Sequence, residues 1–121
     1  MNPKKEYKKI INSFKYAIEG IISSFKTERN MKIHVLVMLI VIGLSIYLKI
    51  DKIEACIIAI VIALVIGAEL FNTAIETIVD MISPEKNNKA KLAKDISAGA
   101  VLVFAIGAIT VGIIIFFPRI F

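Results

Sequence analysis

The chain has 121 residues, 58% of them hydrophobic, and its 15 Lys and Arg against 10 Asp and Glu give a net charge of +5. Those charges are confined to 1–32, 49–54, 69–95 and position 119, so 33–48, 55–68 and 96–118 carry none. A soluble globular domain keeps charge on the outer face of every helix; the pattern excludes one and indicates a small polytopic membrane protein, a single domain over 1–121.

The first expected element is an amphipathic helix over about 6–27. Tyr7, Ile10, Ile11, Phe14, Ala17, Ile18, Ile21, Ile22 and Phe25 recur with helical period while lysines take the opposite face. Such a helix either packs on its own membrane domain or lies in the cytoplasmic interface with its apolar face among the headgroups. The two arrangements are compatible, and the interfacial one is the expectation. Charges run through the first 32 residues, so this region does not resemble a cleavable signal.

Three stretches then reach the roughly 20 residues that a bilayer requires, at about 31–50, 53–80 and 94–117. Three spans cannot close a barrel, so each must satisfy its own backbone as a helix. Pro84 lies between the second and third, and Pro118 is expected just beyond the third, where neither breaks a helix. The lysine-rich arm before the first span and Lys86, Lys89, Lys91 and Lys94 before the third place both segments in the cytoplasm, with the C-terminus outside. Cys56 is the only cysteine, which leaves no intrachain disulfide and no support for a redox or metal role.

The second span carries the anomaly. Glu69, Asn72, Glu76 and Asp80 are spaced three, four and four residues apart, so at about 100° per residue they share an arc of about 80°. Counted from Ala55 at about 1.5 Å per residue, Glu69 lies about 21 Å into the membrane and Asp80 about 37 Å, at its cytoplasmic edge. Asp80, and to a lesser degree Glu76, fit an ordinary helix end. Glu69 with Asn72 does not, because ionisable groups inside a bilayer are expensive; they act either as interhelical hydrogen-bonding glue or as the lining of a site facing the cytoplasm.

Glu28, before the first span, and Lys94 with Asp95, opening the third, sit at the same level. Two carboxylates able to share a divalent cation, a lysine and a deeper carboxylate are the minimum set for phosphoryl transfer. Mg²⁺ is commonly held by one or two carboxylates with nucleotide phosphates, a lysine stabilises phosphate oxygens, and the remaining carboxylate takes a hydroxyl proton. Neither a GxxxxGK[ST] loop nor a kinase glycine-rich loop occurs, so any ATP site must be built from helix side chains.

The stretch 69–80, ELFNTAIETIVD, with 93–95, AKD, and 97–102, SAGAVL, resembles the signature blocks of the prokaryotic diacylglycerol kinase family, small integral-membrane lipid kinases. The resemblance runs without gaps from Lys9 and Tyr16 through Glu28 to the third span. It implies an all-α homotrimer of three-span subunits with a surface helix, and active sites between neighbouring subunits that use ATP and Mg²⁺. Carried over by position, Glu69 is implied as the general base on the lipid hydroxyl, and Glu28 and Glu76 as metal ligands. Lys9, Tyr16, Glu85, Lys86, Asn87, Lys94 and Asp95 are implied to contact the nucleotide, Asn72 and Asp80 to support the site, and Ala98, one turn beyond Lys94, to leave space for a lipid headgroup.

The stretch 28–34, ERNMKIH, resembles the form of this region in Gram-positive members, many of which look like undecaprenol kinases. The expectation is therefore an undecaprenol kinase of the bacterial cytoplasmic membrane, with diacylglycerol as the alternative substrate. His34, the sole histidine, is read as an interface residue. A small proton-coupled transporter would account for Glu69, but not for a stripe that ends in the cytoplasm beside Glu28 and Lys94.

Overall fold

A computed structural model describes residues 2–121, which form four helices and no strand: α1 (Pro3–Thr27), α2 (Arg29–Tyr47), α3 (Lys52–Ile82) and α4 (Asn88–Ile120). The last three are long and apolar enough to cross a membrane. This is the expected all-α architecture, and the differences lie at the helix ends.

Each start has a local cause. Asn2 caps α1 by accepting from the Lys4 backbone N–H at 3.0 Å, with Pro3 in the first turn, where its missing N–H costs nothing. One extended residue, Glu28 (φ −104°, ψ 117°), separates α1 from α2, ending one and opening the other. The turn between α2 and α3 uses Lys49 in the left-handed region (φ 51°), a conformation that costs a non-glycine residue on the order of 1 kcal/mol. Asp51 then opens α3 with a reciprocal capping box: Asp51 Oδ1 accepts from the Glu54 N–H at 2.9 Å, and Glu54 Oε1 accepts from the Asp51 N–H at 3.3 Å. The Glu54 backbone N–H holds the Asp51 carboxyl below its ordinary pKa. Asn87 caps α4 by accepting from the N–H groups of Lys89 and Ala90, at 2.8 and 3.3 Å; α4 therefore begins six residues before Lys94.

At its far end α4 differs from expectation. Pro118 lies within the helix, which continues to Ile120. Proline removes one backbone hydrogen bond there, and Arg119 restores polar contact by donating from Nη1 to the Ile115 carbonyl at 3.0 Å. The same guanidinium grips Glu54 in α3 in a two-pronged ion pair, at 2.7 and 2.5 Å, with both side chains mostly covered. This clasp joins the α3–α4 hairpin at one end. Charge-assisted bonds of this type contribute about 1.5–3 kcal/mol. Arg119→Ala is accordingly expected to lower the thermal unfolding midpoint in detergent by several degrees, which differential scanning fluorimetry checks.

The interior has two unlike ends. Near the α2–α3 turn, Ile58, Ile115 and Phe116 are buried, with Val41, Leu44, Leu48, Ile50, Ile62 and Val111 packed against them. Near the α1–α2 junction the buried set is largely polar: Ser24, Glu69, Asn72 and Ser97 alongside Met31, Val65 and Val101. Most other large apolar side chains face outward, as α1 illustrates with Ile10 at 58% and Phe14 at 67% exposure. The chain therefore does not cover the apolar face of α1 itself, and the outer faces of α2–α4 suit lipid or protein neighbours.

Candidate active site

The stripe along α3 enters the polar end of this interior. Glu69 is 1% exposed, Asn72 is buried, Glu76 is half-buried and Asp80 is at the surface. A carboxyl group at such depth is costly without partners. His34, in the second turn of α2, places Nε2 3.6 Å from Glu69 Oε2. The carboxylates of Glu28 and Glu76 lie within electrostatic reach of Glu69, and the Asn72 amide is beside it. Asn72 Nδ2 donates to Glu76 Oε1 at 3.4 Å, one turn on, whereas Asn72 Oδ1 is buried without a partner.

Glu28 arrives here for a backbone reason. It is the extended residue between α1 and α2, and its carboxylate takes no part in capping α2, so the side chain is available to the site. The junction is pinned by Ser24, whose Oγ is 3.5 Å from Thr73 Oγ1. Thr73 itself donates to the Glu69 carbonyl at 3.1 Å, which leaves Ser24 as the donor in that contact.

At the surface end of the stripe, Asp80 and Lys94 form an ion pair across the α3–α4 hairpin, and Glu76 is within electrostatic reach of the same ammonium. Next to it, Lys91 Nζ is 2.6 Å from Asp95 Oδ2. Exposed pairs contribute only about 0–1 kcal/mol, so what matters is position: a ladder of charge leads from the surface down to Glu69.

The sequence description of prokaryotic diacylglycerol kinases matches residues 15–116. The chain belongs to the prokaryotic diacylglycerol kinase family. It is 37% identical to an undecaprenol kinase of Bacillus subtilis, over 96% of this chain and 94% of that one. It is 39% identical to a diacylglycerol kinase of Synechocystis, over 85% of this chain but only 59% of that longer protein. It is also 36% identical to a diacylglycerol kinase of Haemophilus influenzae, over 89% and 92% of the two chains. The family makes the chain a multi-pass lipid kinase with a nucleotide cosubstrate.

Against that family, one chain brings Glu28, Glu69, Asn72 and Glu76 to one place and sets Asp80 and Lys94 beside them. It does not bring the remaining candidates there. Lys9 Nζ is 3.6 Å from Glu6 Oε1 on the exposed side of α1, and Tyr16 is 63% exposed. Glu85 and Lys86 lie on the surface of the α3–α4 connection. Asn87 commits its side-chain oxygen to capping α4. Asp95 is held by Lys91, and Ala98 faces outward. His34 is the residue that sequence reasoning placed elsewhere: it meets Glu69, not the interface alone. Its only sequence signal is that a lone histidine stands near the start of the charge-free stretch 33–48.

The resemblance implies Mg²⁺, and the donor set is compatible with it. Among the described residues no three His, Cys, Asp or Glu side chains gather closely enough to form a cage. A Mg²⁺ ion does not require one, since one or two carboxylates plus phosphates and water suffice. Glu28, Glu76 and the unpartnered Asn72 Oδ1 are all hard oxygen donors, and the buried orphan oxygen beside Glu76 fits a site built for a polar or cationic guest.

Proposed function

We propose that this lipid kinase phosphorylates undecaprenol with MgATP at the cytoplasmic face of the bacterial membrane. The observation that carries the reading is Glu69, buried at 1% exposure with Glu28 and Glu76 in reach. Glu69 accepts the proton of the lipid hydroxyl as its oxygen attacks the γ-phosphorus; the bond from that phosphorus to the β–γ bridging oxygen breaks, and ADP leaves. Glu28 and Glu76 would hold Mg²⁺, which when bound would supply positive charge to the phosphate oxygens. Lys94 offers an ammonium to the same oxygens, oriented by Asp80, while Asn72 orients Glu76. Lys9, Tyr16, 85–87 and Asp95 contact the nucleotide, and Ala98 leaves room for the lipid headgroup.

The N-terminus is cytoplasmic, the C-terminus lies outside, and α1 rests in the interface. Homotrimerisation is part of the same reading: the uncovered apolar face of α1 and the largely exposed span of α2 supply surface for partner subunits, which would bring Lys9, Tyr16 and the 85–87 connection to a neighbour's site. Undecaprenol is favoured by similarity to the Bacillus subtilis enzyme over nearly the full length of both chains. Diacylglycerol is the second reading, favoured by the names of the Synechocystis and Haemophilus relatives.

Purified protein in lipid micelles, given γ-labelled ATP and either alcohol, tests both. Turnover of undecaprenol is expected to exceed that of diacylglycerol by about tenfold in kcat/KM, within the range that apolar pocket contacts provide. The reverse preference would overturn the substrate, and label in neither lipid would overturn the function.

A further inference from the structure

We infer that His34 is a positioning residue for Glu69, holding one carboxylate oxygen so that the other faces the lipid hydroxyl. The inference rests on the reading of Glu69 as base and goes beyond it by assigning the base its orienting group. Three observations support it.

The first is that His34 is the basic partner of Glu69. Among the described residues the basic side chain that approaches Glu69 is His34, with Nε2 3.6 Å from Oε2. The other groups facing Glu69 are Glu28 from the α1–α2 junction and Glu76 and Asn72 from α3 itself. Two of these are carboxylates, and the Asn72 amide is engaged with Glu76. Asn72 lies on the same helix as Glu69 and is shared with Glu76, so His34 is the non-acidic group that reaches Glu69 from another helix.

The second is the surroundings of His34. It closes one end of a cleft of about 350 Å³ between α2, α3 and α4, and every other lining residue is apolar, Val37, Val41, Val65, Ala105 and Phe116 among them. A ring nitrogen in such a wall needs a polar partner, and Glu69 is the one within reach. The side chain is 20% exposed, against 2% for Glu69, so this is not an ordinary headgroup-facing histidine.

The third is geometry. The two groups lie on different helices, so their approach fixes α2 relative to α3 at the reacting level. The gap exceeds an N–H···O bond by about 0.4–0.9 Å, an interval that a small side-chain rotation closes, and catalytic hydrogen bonds are commonly long before substrate arrives.

The test compares His34→Leu, His34→Gln and Glu69→Gln with the unaltered enzyme in micelles. Gln places an amide N–H near the position of Nε2, and Leu keeps apolar volume without a donor. His34→Leu is expected to lower kcat about 10- to 30-fold with the KM for MgATP unchanged within twofold, as misorientation of a base does. His34→Gln is expected to recover to within about threefold of the unaltered rate. Adding His34→Leu to Glu69→Gln should lower the residual rate no further.

A Leu variant within threefold of full activity, equal losses for Leu and Gln, or a full additional loss in the double variant would each overturn the role. If the Leu variant does not fold, His34→Asn, whose amide is too short to reach, replaces it against Gln with the same expectation. Glu69→Gln reads the base assignment separately: if that variant is active, the proposed function fails in its base; if it is inactive while His34→Leu is not, only the role of His34 fails.

Discussion

Glu69→Gln is expected to abolish lipid phosphorylation, lowering kcat by about 10²–10⁴-fold, the range that a general base contributes, while the Kd for MgATP changes by less than about threefold. The substitution keeps shape and an oxygen acceptor but loses the capacity to take a proton. Structural damage is not expected to account for the loss. Glu69 is almost wholly buried, and Glu28 and Glu76 act on it with charge of the same sign, so a neutral amide relieves repulsion and desolvation together. The Gln oxygen can still accept from His34, and the Thr73 hydroxyl still donates to the backbone carbonyl of residue 69. The measurements are single-turnover transfer from labelled ATP and nucleotide binding by equilibrium dialysis on the same preparation. More than about a tenth of the original activity would remove Glu69 from the role, and a parallel loss of MgATP binding would move it to the nucleotide side of the site.

The sequence made part of this site legible because some of its contacts are fixed by one helix. Asn72 and Glu76 are four apart, and the amide does donate to the carboxylate; spacing alone required their shared face. Burial falling from Glu69 to Asp80 follows from counting residues along a span. Asp80 and Lys94 were placed at one level because one closes the second span and the other opens the third, and the structure pairs them.

His34 was not legible in the same way. Its partner is 35 positions away on a different helix, and nothing in the local pattern of α2 encodes which way that helix is rotated against α3. The caps divide likewise. Asp51 with Glu54 is a sequence-level signature of a helix start, whereas the Glu28 break involves neither Gly nor Pro and follows from tertiary contacts such as Ser24 with Thr73. Pro118 misled because a proline near the end of an apolar run reads as a stop, yet the last turn of α4 continues past it, with Arg119 bonded back to the Ile115 carbonyl and out to Glu54. Lys9, Tyr16 and 85–87 are a different matter: they lie on the surface of the chain, so its own packing assigns them no contact with Glu69.

Glu76→Gln and Glu28→Gln are each expected to lower kcat/KM for MgATP by about 10²–10³-fold, comparable to removing one strong electrostatic contact to a transferring group, and to raise the Mg²⁺ concentration needed for half-maximal rate. Neither loss should come from unfolding. The Glu28 carboxylate does not cap α2, and the Glu76 side chain accepts its bond from Asn72 through an oxygen that Gln retains. What both variants lose is negative charge on a hard donor, which Mg²⁺ requires and a neutral amide supplies poorly. The two roles then separate in a titration: if both carboxylates hold one ion, either variant shifts the Mg²⁺ curve, and the double variant loses little beyond the worse single one, since the site is already broken. Additive losses with an unmoved Mg²⁺ curve would instead assign Glu28 and Glu76 to separate contacts with the nucleotide. Variants as active as the unaltered enzyme would take the metal away from this end of the bundle, because neither carboxylate beside Glu69 would then be needed to hold it.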